Sequence, residues 1–107
     1  MLTSPATYSA AEDFTATFKS MNRGKVIGEP TGGSTGQPIL FSLPGGGFAR
    51  VCAKRDFFFD GTEFVGRGIQ PDIFISSSTK ATKENKDEQE EKAIDYLKSI
   101  GSSAKFN

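Results

Sequence analysis

Ser9 is the residue of this chain with the most scope for covalent chemistry. It lies in Pro5-Ala6-Thr7-Tyr8-Ser9-Ala10-Ala11-Glu12-Asp13, where a short extended stub, Met1-Leu2-Thr3, passes through small residues into a helical pattern. A serine at a strand-to-helix turn points its hydroxyl away from the sheet, beside the first free N–H groups of the helix. Those donors, with the positive end of the helix dipole, stabilise an oxyanion, usually the largest single contribution to acyl transfer. The N–H of Ala10 would be one such donor. The local pattern by itself is met more simply by an N-cap serine, since the same residue type in the same place caps helices. A serine hydroxyl also needs an adjacent base before it is a competent nucleophile. Histidine, the commonest general base, is absent from the sequence. A base must then be a lysine or carboxylate of displaced pKa, or come from residues outside this chain.

Other chemistries find less to work with. With no histidine and one cysteine, a zinc site has almost no donors, and neither a metal nor a cofactor is expected. Cys52 stands in the apolar run Ala49-Arg50-Val51-Cys52-Ala53 and reads as a small buried hydrophobe rather than a reactive thiol. Gly28-Glu29-Pro30-Thr31-Gly32-Gly33-Ser34-Thr35-Gly36 has the look of a phosphate cradle but lacks both the Gly-Lys-Ser/Thr ending and a following helix. Lysine plus arginine equals aspartate plus glutamate, 13 each, so no global field draws the chain to nucleic acid, and no basic stripe with interleaved aromatics supports such binding. No apolar run approaches the roughly 20 residues of a membrane helix, and the N-terminus has neither a basic region nor an apolar core of the signal-peptide kind.

The elements that must position Ser9 follow from periodicity. Ala11, Phe14, Phe18 and Met21 recur at helical spacing and read as the buried stripe of a first helix, with Glu12 and Asp13 in its positive first turn and Gly24 beyond its end. Lys25 to Gly28 reads as a buried strand. Gln37 to Leu43 and Phe48 to Lys54 read as a hairpin turned by Pro44-Gly45-Gly46-Gly47. Phe57-Phe58-Phe59 reads as a strand end or buried aromatic plug, and Ile69 to Ile75 as a final strand. Ser76 to Lys86 reads as a linker or surface loop. Asp87 to Ile100 reads as a second helix with Ala93, Ile94, Leu97 and Ile100 on one stripe, and its charge-rich stretch from Lys83 to Lys92 as a solvated face. Ser102 to Asn107 reads as a fraying end. The expected class is α/β, two helices with about five short strands. Its Gly-rich loops are long for so small a fold, which suits part of a larger domain.

Three blocks in order carry a family resemblance. Leu2-Thr3-Ser4-Pro5-Ala6-Thr7-Tyr8-Ser9-Ala10-Ala11-Glu12-Asp13-Phe14 resembles the nucleophile segment of the S41 serine peptidases, in which a Ser-Ala-x-Glu tetrapeptide opens a helix. Gly24-Lys25-Val26-Ile27-Gly28-Glu29-Pro30-Thr31-Gly32-Gly33 resembles their next strand and Gly/Thr loop. Gly66-Arg67-Gly68-Ile69-Gln70-Pro71-Asp72-Ile73 resembles their Gly-x-Gly-Ile-x-Pro-Asp block. The resemblance implies a partial ClpP/crotonase-like core, with residues 1–79 the C-terminal part of a tail-specific or C-terminal-processing-like catalytic domain and residues 80–107 its polar linker and last helix. It implies a hydrolase acting on polypeptides by acyl-enzyme chemistry, with Ser9 as nucleophile and the Ala10 N–H as oxyanion donor. The lysine of the family's Ser-Lys branch has no counterpart here: the loop where it would lie holds Ser34, and Lys25 comes too early. This departure resembles the tricorn-like branch, in which an upstream histidine activates the serine and a glutamate near the Gly-x-Gly-Ile block takes part. Here Val65 precedes Gly66, and Glu63 is the nearby acid.

On this reading the partners are a polypeptide substrate and the missing N-terminal part of the same catalytic domain, with possible self-association through an open sheet edge. The compartment implied by resemblance is the periplasm or cell envelope. A non-catalytic module for polypeptides or hydrophobic ligands on the same fold is the alternative.

Overall fold

The computed structural model describes residues 1–101, so the tail from Ser102 to Asn107 lies outside the described residues. Three two-residue strands, β1 (Leu2–Thr3), β2 (Ile27–Gly28) and β5 (Ile73–Phe74), form a parallel sheet in the order β1-β2-β5. Parallel neighbours cannot be joined by a tight turn, and the helix α1 (Ala10–Ser20) lies in the connection from β1 to β2. The register pairs Leu2 with Ile27 and Ile27 with Ile73. A separate antiparallel hairpin, β3 (Pro38–Ser42) and β4 (Phe48–Cys52), pairs Pro38 with Cys52 and Ser42 with Phe48. The described residues end in α2 (Thr79–Lys83) and α3 (Glu88–Gly101). Among the described residues the class is thus mixed α/β with five short strands, and with three helices rather than two. The extra helix, α2, falls in the stretch read as linker, where the Ser78 side chain accepts the Ala81 N–H at 3.1 Å and starts a turn.

The last strand is shorter than Ile69 to Ile75 because the backbone ahead of it is bonded elsewhere. The Ile69 N–H donates to the Thr31 hydroxyl at 2.7 Å, and the Thr31 N–H donates to the Ile69 carbonyl at 3.2 Å. Sheet pairing begins only once the Asp72 carboxylate accepts the Val26 N–H at 2.8 Å and the Asp72 N–H donates to the Val26 carbonyl. Lys19 of α1 completes this junction, with Nζ 3.1 Å from Asp72 and bonded to the Gln70 carbonyl.

The core is small and is not lined as the helical stripe predicted. Phe14 and Met21 are 66% and 58% exposed, and Ala11 is exposed, while Glu12, Thr15 and Ala16 are buried. Periodicity shows that a helix has a face; it does not show which side the neighbouring loops demand. Here α1 turns Ala16 onto Phe64 and Ile69, with Phe58 packed beside them and its ring centroid 5.2 Å from that of Phe64. The aromatic plug is therefore Phe58 with Phe64, whereas Phe57 and Phe59 are exposed. The stripe of α3 is likewise open at Ile94, Leu97 and Ile100. That helix docks instead through buried Gln89, whose Nε2 reaches the Ile75 carbonyl at 3.2 Å and Glu29 at 3.4 Å.

Two glycines are required by close approach. A Cβ on Gly28 would stand 2.1 Å from the Thr3 carbonyl oxygen, and one on Gly68 would stand 2.0 Å from that of Thr31, at φ +73°. Gly68→Ala combines a clash with left-handed backbone and should lower stability by about 2 kcal/mol or more. Gly61→Ala, at φ +84° with open space around it, meets only the backbone cost and serves as the control in thermal unfolding. Equal losses in the two variants would rule out the close packing of Gly68 on Thr31.

The Asp72 junction sets a pH dependence. Partial burial pushes the Asp72 pKa up, but the Val26 N–H and the hydrogen bond and charge of Lys19 outweigh it, leaving the group below its ordinary value of 3.8. A lowered folded pKa contributes stability that is fully present above the unfolded value and is lost as pH falls through the folded one. Unfolding titrated by circular dichroism should show this loss setting in below pH 3.8. In Asp72→Asn that component of the acid transition should be absent.

Candidate active site

Ser9 is the N-cap residue of α1, but its geometry is not that of an ordinary cap. Its φ and ψ are 57° and −129°, and its backbone N–H is taken by the Glu12 side chain, as in a capping box. N-cap residues normally sit in the extended region and accept a helix N–H with the side-chain oxygen. A non-glycine residue held at positive φ away from the usual wells costs on the order of 1–3 kcal/mol and persists only where its surroundings enforce it.

The enforcing group is Glu12, one turn along the helix and wholly buried. Its Oε1 accepts the Thr31 hydroxyl at 2.5 Å and the Gly33 N–H at 2.7 Å. Its Oε2 accepts the Ser34 N–H at 2.8 Å and the Ser9 N–H at 3.2 Å. The Ser9 N–H also lies 3.0 Å from the Ser34 carbonyl, and the Gly32 N–H donates to the Thr7 carbonyl at 2.8 Å. The serine turn is thereby laced to the Gly/Thr loop along its length. Since the Ser9 backbone N–H points inward to Glu12, the side chain is left exposed on the outer surface. The Ala10 N–H opens the helix there and makes no hydrogen bond within the described residues.

Outside this turn lies an open groove of about 410 Å³. One wall is Tyr8 and Ser9, the floor runs from Ser34 to Gly36, and the other wall is Pro38, Arg50 and Cys52 of the hairpin. Cys52 is exposed rather than buried, because β3 and β4 stand away from the core and leave most of both faces to solvent. The groove therefore joins Ser9 and Ser34. Glu63 is engaged elsewhere, its carboxylate held by the Arg55 guanidinium at 2.8–3.0 Å.

Sequence reading passed over Asp56. It is buried beneath the loop, with Oδ2 3.1 Å from the Thr35 hydroxyl and Oδ1 2.5 Å from Lys54 Nζ. Asp13 Oδ1 lies 3.3 Å from the same hydroxyl, whose single proton serves one carboxylate at a time. Asp56 raises the Lys54 pKa above its ordinary value, through its hydrogen bond first and its charge second. No motif announces this pair; only the folding of the hairpin stem onto α1 brings Asp56 to Thr35.

Glu12→Gln tests the lacing. An amide would set its own N–H₂ against backbone donors, leaving buried N–H groups without acceptors, a loss of about 2 kcal/mol or more. Urea unfolding should show it. A change within about 0.5 kcal/mol, the range of an ordinary surface substitution, would remove Glu12 from this role.

Comparisons with known proteins agree with this architecture. The family model described as peptidase family S41 matches residues 1–75. A comparison with curated proteins returned no match. Among solved structures, a candidate peptidase from Parabacteroides merdae ATCC 43184 superposes with a TM-score of 0.84 at 30% identity, over 96% of this chain and 32% of that one. The tricorn protease follows at 0.79 and 28% identity, over 90% of this chain and 10% of that one. The photosystem II D1 C-terminal processing protease gives 0.56 and 27% identity, over 69% of this chain and 19% of that one. The chain thus spans about a third or less of the length of these proteins. With its serine turn, Gly/Thr loop and Gly-x-Gly-Ile block inside the matched segment, the chain belongs to peptidase family S41.

Proposed function

We propose that the protein carrying this chain is a serine endopeptidase, with Ser9 as nucleophile, the Ala10 N–H as one oxyanion donor, and the general base supplied from outside this chain. The observation that carries the reading is the conformation of Ser9: positive φ, an exposed side chain, and a place in the groove lining. A capping serine needs none of these. A strained serine on a strand-to-helix turn, beside a free helix N–H, suits acyl transfer.

In the proposed reaction the Ser9 Oγ attacks the scissile carbonyl as the base takes its proton. The carbonyl oxygen becomes an oxyanion facing the Ala10 N–H. Collapse breaks the C–N bond, returns the proton to the leaving amine and leaves an ester on Ser9, which water then hydrolyses by the same steps. Among the described residues no histidine, lysine, aspartate or glutamate lines the groove. Lys54, whose backbone N–H bonds the loop's Gly36 carbonyl, is held in its charged form by Asp56, and Glu12 has both oxygens occupied by donors. A histidine from elsewhere in the protein fits the remaining need.

In the full-length protein Ser9→Ala should lower the cleavage rate by about 10⁴-fold or more while leaving peptide affinity within about twofold, because the hydroxyl acts in the chemical step. Ser34→Ala should cost far less. This chain by itself should neither turn over unfolded protein nor be labelled by a serine-directed phosphonate. Equal damage from the two serine variants would overturn the assignment of the base. Cleavage unaffected by Ser9→Ala would replace the peptidase reading with that of a binding module on the same fold.

A further inference from the structure

We propose that Arg50 makes the hairpin wall of the groove a carboxylate-reading subsite, so that the substrate bears a carboxylate, on an acidic side chain or at its C-terminus, within a few residues of the scissile bond. The proposal rests on the reading of Ser9 as nucleophile, since it concerns what lies beside that serine in the same groove.

Three cations lie on β4 and the stem that follows it. Lys54 is paired with Asp56 and Arg55 with Glu63, whereas Arg50 has no acidic partner among the described residues. Among the described residues no aspartate or glutamate lines the groove, so Arg50 is the sole charged residue of its lining there. The hairpin register fixes where that charge stands. Cross-strand partners and alternate residues share a face, so Pro38, Cys52, Leu40 and Arg50 lie on one side of the ribbon. Arg50 is two residues beyond Cys52, roughly 7 Å along the strand, with Leu40 opposite it and 67% exposed. An extended peptide leaving Ser9 along this wall meets a guanidinium fork beside an apolar contact. A guanidinium binds a carboxylate through two parallel N–H···O bonds, a match a neutral side chain cannot make.

The test uses the full-length protein with Ser9→Ala, which removes turnover from the binding measurement. Fluorescence anisotropy would compare a neutral amidated peptide, the same peptide with one glutamate scanned along it, and the same peptide with a free C-terminal carboxylate. At least one carboxylate-bearing peptide should bind about tenfold tighter than the neutral one, and whichever does identifies the source. Adding Arg50→Gln should abolish the difference, and Arg50→Glu should turn the preference toward a lysine peptide; unchanged melting temperatures would show the variants folded. No carboxylate preference, or one that survives Arg50→Gln within about twofold, overturns the proposal. An Arg50-dependent preference in a protein whose Ser9-intact form cleaves nothing would keep the subsite and discard the peptidase reading. Ser9-dependent cleavage without the preference would do the reverse.

Discussion

The buried carboxylate of Glu12 is the constraint around which the rest of the chain is arranged. An ionised carboxylate without partners is among the most costly groups to bury, and Glu12 is wholly enclosed. It is tolerable because four donors from two segments, the serine turn and the Gly/Thr loop, converge on its two oxygens. Its place in the positive first turn of α1 favours it further. Each donor has a structural consequence. The Ser9 N–H fixes the serine turn, and the Gly33 and Ser34 N–H groups fix the loop. The Thr31 hydroxyl, which gives its proton to Glu12, is thereby left to accept the Ile69 N–H, carrying the same constraint into the Gly-x-Gly-Ile block. A network of this kind, with every member satisfied, specifies one arrangement; removing a member strands the others.

That network also explains a core which is largely polar. Among the described residues only a few apolar ones are buried, Val26, Ile27, Phe64 and Ile69 chief among them. Much of the interior is instead the backbone of the Gly/Thr loop against the backbone of the Gly-x-Gly-Ile block. The Gly66 N–H donates to the Gly33 carbonyl at 2.7 Å, and a Cβ on Gly33 would stand 2.6 Å from the Gly68 nitrogen. The conspicuous hydrophobic side chains, those of α1, α3 and the hairpin, lie outside this unit. An S41 chain that spans about a third of the first of its structural relatives holds the serine turn and one wall of a groove together while leaving broad apolar faces uncovered.

The elements were legible in the sequence to differing degrees, for physical reasons. The helix after Ser9, the Gly-turned hairpin and the last helix each rest on local signals, a 3.6-residue period or a turn, and each lies within a residue or two of its expected bounds. The sides that these elements bury were not legible. Periodicity marked Phe14 and Met21 as interior, but the loop's N–H groups call for an acceptor, and a helix that presents Glu12 inward must turn Phe14 outward. The apolar neighbours of Cys52 point to burial, yet a two-stranded ribbon that leaves the core has no interior to offer it. Asp56 carried no signal, since its partner Thr35 is 21 residues away in the chain.

The sequence by itself determined the family and the position of the serine, because the Ser-Ala-Ala-Glu turn, the Gly/Thr loop and the Gly-x-Gly-Ile-Gln-Pro-Asp block are local strings whose residue types are constrained by their own backbone. It left open whether Ser9 is a cap or something less ordinary, since both uses ask for a serine at the first turn. Tertiary structure decided that conformation. The dihedral angles of Ser9 depend on where its N–H is drawn, and Glu12 can draw it inward only after Thr31, Gly33 and Ser34 have closed over the carboxylate from a loop some 20 residues downstream. The same closure carries the following hairpin across the turn, which is why Arg50, distant in sequence, shares a groove with Ser9.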